Sequence, residues 1–470
     1  MKRNSAIFIL LCVSLISAAA SSRAQERVDL VITHGTVITM DSARQIYDDG
    51  AIAIRGDSIV AVGLAKDLAA RYSASRTIDA AGEIVMPGLI NGHAHAAMSL
   101  FRGLGSDVNL SDWLQKYIFP AEARNVTPDF VEWGTRLGIL EMLRGGITTY
   151  ADMYYFEDRV ARVTKDAGMR GVLGETFIDF PAPDNKSVPQ TLSYTENYIQ
   201  HWQGDSLITP AVAPHSIYTC STKTLQSAAA LARKYHVPIL IHLSEAVPEG
   251  DQSRAKYGLS PTAYLENIGV LGPDITAAHC VWVTAADMAL LASYSVGCVN
   301  NPSSNMKLAS GTSPVVDLIA AGVREGLGTD GAASNNDLDM FEEMDLAAKQ
   351  QKLARMDPRA LPAEQVVAMA TINGARALHM EKEIGSLELW KKADVILIRT
   401  DAPHSTPMYN VYSALVYSLK ASDVDSVIIA GRLVMDHRRM LTLDEPAILV
   451  HARSYAKQIS ASLAQPLKAN

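Results

Sequence analysis

Residues 87–98 read PGLINGHAHAAM. A short apolar run leads directly into two histidines one residue apart, His93 and His95. Side chains at i and i+2 of an extended segment point to the same side, so the pair presents two imidazoles together at the end of a strand. Neutral imidazole is the commonest protein ligand for zinc and similar divalent metals. A bare His-x-His also suits a surface loop. What separates the two readings is whether other apolar runs of the chain end in matching chemistry.

They do. From about residue 87 to 390, short apolar runs recur: EIVMPGLI, GITTYAD, GVLGETF, ITPAVAP, VPILIHL, ITAAHC, VGCVNN and VREGLGTD. Each is followed by a polar loop and a helix-like stretch, such as DFVEWGTRLGILEMLRGG or TKTLQSAAALARKYH. Eight strand–helix units over about 300 residues predict an α/β fold, a (β/α)8 TIM barrel over residues 87–390. A doubly wound sheet is the alternative, but no glycine-rich dinucleotide loop follows the first strand. In such a barrel the reactive groups sit at the C-terminal ends of the strands. His93 and His95 follow strand 1, His215 follows strand 4, His242 and Glu245 follow strand 5, His279 ends strand 6 and Asp330 ends strand 8.

The flanks have a different texture. Residues 28–86 and the segments ADVILIRT and VDSVIIAGRLVMD alternate with period two and are rich in β-branched residues, which predicts antiparallel strands. The expected organisation is a small β-sandwich from residues 25–86 plus 391–450, with the barrel inserted, and a helical tail over 451–470. Hydrophobic residues make up 48% of the 470-residue chain, enough for a large core. At the N-terminus, Lys2 and Arg3 precede an apolar run from Ala6 to about Ala20, and Ser22-Arg23-Ala24 fits a small-x-small cleavage site. This predicts a signal peptide over 1–24 and a secreted, periplasmic protein. Removing residues 1–24 takes away Lys2, Arg3 and Arg23 and no acid, moving the formal charge from −8 to −11. An acidic chain without a basic cluster argues against nucleic acid or an anionic membrane as partner. Three cysteines would remain, Cys220, Cys280 and Cys298, too sparse for a disulfide framework.

Three neutral imidazoles and one carboxylate can hold one divalent ion with an open position for water. The expected ligands are His93, His95, His242 and Asp330. Such an ion lowers the pKa of bound water to roughly 7. Glu245, three residues beyond His242, is placed to donate a proton to the leaving side of a substrate. His279 could polarise the water or shuttle its proton. The expected catalytic set is therefore Glu245, His279 and Asp330, with Asp330 doubling as a ligand.

The motifs PGLINGHAHAAM, IHLSE, TAAHC and GTDGAASNN together resemble the amidohydrolase superfamily, in the branch that contains methylthioadenosine/S-adenosylhomocysteine deaminases and triazine chlorohydrolases. The resemblance covers nearly the whole mature chain and includes the split β-sandwich. It implies one divalent metal, usually zinc with iron as the alternative, and Glu245 and His279 as the proton-transfer pair. It also implies that hydroxide attacks a ring carbon bearing an amino group, with ammonia leaving. Two-metal relatives carry a lysine at the end of strand 4; here that region reads AVAPHSIYTCS, which points to a single metal. By the same resemblance Glu122 matches an acid that binds ribose hydroxyls, and His215 a histidine near the purine or leaving group. Trp113 is expected to wall the pocket.

The chain departs from the pattern after strand 3. Adenosine-type relatives often carry arginines there; this chain reads GMRGVLGETFIDFPAPDN, with Glu175 and Asp179 instead and Arg170 ahead of the strand. An acidic loop would repel a carboxylate such as a homocysteine tail. The expected activity is metal-dependent hydrolytic deamination of an aminated purine or nucleoside, a small-molecule partner, by a protein that could form a homo-oligomer. The alternatives are a hydrolase of another C–N or C–Cl bond, on a triazine-like or amide substrate, and a periplasmic binding protein on an inactive barrel.

Overall fold

The computed structural model describes residues 25–464. The expected signal peptide and the last six residues of the expected tail lie outside the described residues.

The first five strands are β1 (Glu26–Ile38), β2 (Ile46–Arg55), β3 (Ser58–Leu64), β4 (Tyr72–Asp79) and β5 (Glu83–Pro87). The barrel strands are β6 (Leu89–Ala94), β7 (Ile147–Tyr154), β8 (Arg170–Phe177), β9 (Ile208–Pro214), β10 (Ile239–Leu243), β11 (Ile275–His279), β12 (Gly297–Asn300) and β13 (Arg324–Leu327). Four more follow: β14 (Val395–Arg399), β15 (Val424–Ile429), β16 (Arg432–Asp436) and β17 (Arg439–Met440).

Strands β1–β5 and β14–β17 form one nine-stranded mixed sheet, joined where β14 pairs antiparallel with β5. The two ends of the chain thus share a single hydrogen-bonded sheet. Long β1 serves both halves: its first part pairs with β4 and its last part with β5. The bend between them falls at a register shift near His34, whose φ is 63°. One face closes on Ile32, Ile52, Ile54, Val85 and Val395, and the other on Val28, Ala53 and Leu68.

The run EIVMPGLI proves to be two strands. Gly88 divides it: β5 stays in the mixed sheet and β6 opens the barrel. A Cβ at Gly88 would stand 2.1 Å from Thr148 Oγ1, so only glycine lets the chain pass between the two bodies.

Strands β6 to β13 are parallel and neighbour one another in chain order, as right-handed strand–helix units require. Inward-facing Ile90, Ala151, Val172, Ala211, Ala213 and Leu240 fill the interior, and Ala375 and Leu378 pack against them from below. The seam between β13 and β6 is closed largely by a side chain. Asn91 Oδ1 accepts from Thr329 N at 3.0 Å, its Nδ2 donates to Thr329 Oγ1 at 2.7 Å, and Asp330 N donates to His93 O at 2.9 Å. The helices sit outside, capped by local chemistry. Thr127 Oγ1, for example, accepts from Phe130 N at the start of helix Pro128–Arg144. The tail is helical from Glu445 to Leu463, and its His451 stacks on Trp133.

Candidate metal centre

Five histidines from the ends of four strands, β6, β9, β10 and β11, meet at the mouth of the barrel. The His93 ring lies 4.8 Å from His95, 4.9 Å from His242 and 5.4 Å from His279, centroid to centroid. His215 is 4.6 Å from His242. Asp330 Oδ1 lies 3.3 Å from His95 Nε2 and 3.6 Å from His93 Nε2. Residues more than 230 apart in the chain thus share one point.

Local backbone geometry delivers these groups. Ser244, His279 and Asp330 adopt left-handed φ values of 53°, 76° and 60°. Such angles are uncommon outside glycine and cluster at functional sites. Here each one turns the chain sharply at or beyond a strand end and keeps the neighbouring side chain at the mouth.

Hydrogen bonds fix the rings. A carbonyl can only accept, so His95 Nδ1 donates to Met153 O (2.7 Å) and His242 Nδ1 donates to His215 O (2.9 Å). Both Nε2 atoms then aim bare lone pairs at the centre, 3.3 Å apart. His93 Nε2 is buried with no hydrogen-bond partner. Lone pairs so placed repel unless a proton or cation sits between them. Donor atoms on a tetrahedron with metal bonds of about 2.1 Å lie about 3.4 Å from one another, which the observed 3.3–3.6 Å separations match. His93, His95 and Asp330 bring one ligating atom each within 4.8 Å of one another, and His242 Nε2 lies 3.3 Å from His95 Nε2, a donor set suited to a divalent ion. The carbonyls behind His95 and His242 are the supports that a ligating imidazole needs.

Charge states agree. Burial pushes His93 and His242 well below the ordinary histidine range, which leaves neutral donors. Burial alone would raise Asp330, but the hydrogen bond to His95 and the surrounding imidazoles hold it well below the usual carboxylate range. Burial also opposes charge on His95; the Asp330 carboxylate outweighs it and lifts that imidazole to about 9. Ser304 Oγ donates to Asp330 Oδ2 at 2.6 Å, leaving Oδ1 for the centre.

The proton-handling groups lie beside this point. His279 Nδ1 faces Asn305 Oδ1 at 2.9 Å, which directs Nε2 towards Glu245 Oε2, 3.8 Å away. Glu245 is 4% exposed, and burial raises its pKa. His279 Nε2 also lies within reach of His93 and His242, so these three make a second grouping able to ligate.

The pocket above is walled by the long segment after β6. Trp113 and Glu122 both line it, with Trp113 Nε1 donating to Leu104 O at 3.2 Å. Tyr154 OH donates to Glu122 Oε1 at 2.8 Å, and burial pushes Glu122 up to about 7. His215 lines the pocket as well, and burial lowers it to about 3. Its larger structural part, the carbonyl that orients His242, was not readable from side-chain identity. Neither were Asn305 and Ser304, although both sit in the polar run NNPSSN after β12.

The structure places the two acids after strand 3 differently. Glu175 is a buried residue of β8 whose carboxyl accepts from Glu157 N at 3.0 Å and from Asn185 Nδ2 at 3.3 Å, away from the pocket lining. Asp179 accepts from Ser221 N at 2.6 Å and from Thr224 Oγ1, capping helix Thr222–Tyr235. It borders a side chamber beyond Phe119 and Tyr218. Arg170 is the first residue of β8, at the opposite end of the barrel from the metal point, where it pairs with Asp394. The three cysteines are buried, with Cys280 and Cys298 in contact.

Comparison with known proteins places this geometry. The amidohydrolase family model matches residues 84–434. A 5-methylthioadenosine/S-adenosylhomocysteine deaminase of Syntrophobacter fumaroxidans is 49% identical over 433 residues, covering 92% of this chain and 99% of its own. Among solved structures, an adenosine deaminase from Xanthomonas campestris with bound zinc superposes with a TM-score of 0.91 at 37% identity, over 93% of this chain and all of its own. A zinc complex of an atrazine chlorohydrolase from Arthrobacter aurescens superposes with a TM-score of 0.85 at 25% identity, over 91% and 100%. With its barrel, its converging donor set and a family match spanning most of its length, the chain belongs to the amidohydrolase family.

Proposed function

We propose that this protein is a metal-dependent hydrolytic deaminase of an aminated purine nucleoside, releasing ammonia. The observation that carries the reading is the buried Glu245 carboxyl held beside His279 at the edge of two metal-capable groupings that share His93. The names of the relatives support the same chemistry, and the zinc-bound neighbours support zinc.

His93, His95, His242 and Asp330 would hold the ion, whose chemistry is to make water acidic enough to supply hydroxide near neutral pH. Everything else falls to the chain. Water adds to the ring carbon that bears the amino group. Glu245, whose pKa burial raises, gives its proton to the adjacent ring nitrogen. His279, its Nδ1 held by Asn305, receives a proton at Nε2 from the attacking water and returns it to the departing amine. The carbon collapses to a carbonyl as ammonia leaves, and the hydroxyl proton shed in that collapse returns to Glu245. Glu122, with one oxygen held by Tyr154, offers the other to vicinal ribose hydroxyls. Trp113 and its apolar neighbours exclude solvent around the base.

The test is ammonia release by zinc-loaded protein from adenosine, 5′-methylthioadenosine, S-adenosylhomocysteine, free adenine and guanine. Glu245→Gln is expected to keep its zinc and lose about 10²- to 10⁴-fold in kcat. Chloride release from atrazine, with no ammonia from any purine, would favour the chlorohydrolase reading. Absence of stoichiometric metal and of all turnover would favour a binding protein.

A further inference from the structure

The peptide that joins Ser244 to Glu245 is gripped on both sides. Its carbonyl, Ser244 O, accepts from Val281 N at 3.1 Å and Trp282 N at 2.8 Å. Its amide, Glu245 N, donates to Glu249 Oε2 at 2.8 Å. Ser244 is in the left-handed region, where the chain reverses between β10 and helix Val247–Tyr257. Two of the three contacts come from backbone and survive any substitution. The third rests on one side chain.

Glu249 is the third residue of that helix and is 4% exposed. The helix has Ala246 at its N-cap, which offers no capping side chain. Glu249 instead reaches back past the cap to the residue before it. Its other oxygen, Oε1, is buried without a partner, and the carboxyl faces the backbone amides of both Ser244 and Glu245. Rotation of this one peptide plane would swing the Glu245 side chain relative to His279 Nε2.

We infer that Glu249 is a positioning residue for Glu245: its carboxyl clamps the peptide plane that aims the proton donor at the reacting ring. The inference rests on the reading of Glu245 as that donor. Burial pushes the Glu249 carboxyl up to about 8, so at neutral pH glutamine copies both its charge and its acceptor.

The experiment compares zinc-loaded Glu249→Gln, Glu249→Leu, Glu249→Asp and Glu245→Gln with the parent protein. It measures zinc content, thermal midpoint, amide hydrogen exchange at Glu245, and kcat and KM on the fastest of the substrates above. Leucine removes the acceptor. Amide exchange at Glu245 is expected to quicken at least about tenfold, and kcat to fall about 10- to 100-fold, the scale of a small misplacement of a catalytic group. KM should stay within about twofold and zinc should remain bound. Glutamine is expected to restore both the slow exchange and kcat to within about threefold of the parent. If the leucine variant does not fold, aspartate decides, being one methylene too short to reach Glu245 N; it should show the same exchange and kcat losses. Parent-like exchange and kcat in the leucine variant, or in aspartate where leucine fails, would overturn the inference. So would equal impairment of the glutamine and leucine variants. Full activity in Glu245→Gln removes the donor and the inference with it. An inactive Glu245→Gln beside a fully active leucine variant sinks the inference alone.

Discussion

The two ends of the barrel bury charge in opposite ways. At the base, Arg170 and Asp394, 2% and 4% exposed, form a two-pronged pair at 2.9 and 3.2 Å. Their remaining valences are also filled: Arg170 Nη1 donates to Ser206 O, and Ala430 N donates to Asp394 Oδ1. This closed network ties β8 to the mixed sheet beside β14. At the mouth, the groups are just as dry, but His93 Nε2 has no partner and two imidazole lone pairs face each other. An unsatisfied buried polar group costs about 1–3 kcal/mol, so such an arrangement persists only when something else fills it. The base spends its polar groups on holding the fold together, and the mouth keeps them for a ligand.

A third site sharpens the contrast. Glu325 in β13 is 2% exposed, and neither of its oxygens has a partner. Burial alone raises its pKa well above the ordinary carboxylate range. Cys298 is its register partner on β12, but no three ligating side chains converge there, for the metal-capable groupings among the described residues all lie at the mouth. An orphaned polar atom by itself therefore marks a neutralised side chain. Several orphans aimed at one point mark a site.

The largest expected effect breaks the mouth. Asp330→Ala should purify folded but without stoichiometric zinc, and lose more than about 10³-fold in kcat, or about 4 kcal/mol of barrier. Zinc analysis with ammonia release checks it, and a fully loaded, active variant would dissolve the contrast between the two ends. Next comes the base. Arg170→Ala strands Asp394 as an unpaired buried charge and should cost about 3–5 kcal/mol in chemical denaturation. Its zinc content and kcat should be unchanged at temperatures where it stays folded. Loss of metal there would mean that the base also shapes the mouth.

The smallest effect tests Glu325. Its folded pKa lies above its unfolded value, so the native state holds the proton more tightly, and stability is highest below about pH 4.5 and falls as pH rises towards the folded value. One such group contributes a slope of at most about 1.4 kcal/mol per pH unit. Glu325→Gln should remove that slope from the stability profile between pH 5 and 8 and leave zinc binding untouched. An unchanged slope would show that Glu325 is paired or hydrated in solution.

How much of this was legible in the chain depends on whether the signal was local. The alternation of apolar runs with helix-like stretches gave the barrel, because each strand–helix unit writes its own period. The residues at strand ends could be named because the barrel sends those ends to one face. The break at Gly88 was missed, since β5 and β6 form one continuous apolar run and only the close approach of Thr148 separates them. The setting of the two acids after strand 3 was not legible for a related reason. Glu175 and Asp179 sit beside the right strand, but side-chain direction and helix capping take both out of the pocket.

The sequence alone determined which chemical groups would be available: five imidazoles at four strand ends, an aspartate after the last strand and an acid three residues past a ligand. Residue type and strand period are properties of the chain itself. Only the tertiary structure decided which nitrogen of each histidine faces the centre, that Asn91 closes the seam and that Glu249 holds the amide of Glu245. Those outcomes depend on carbonyls and side chains brought together from distant strands, and no local pattern encodes a contact across the barrel.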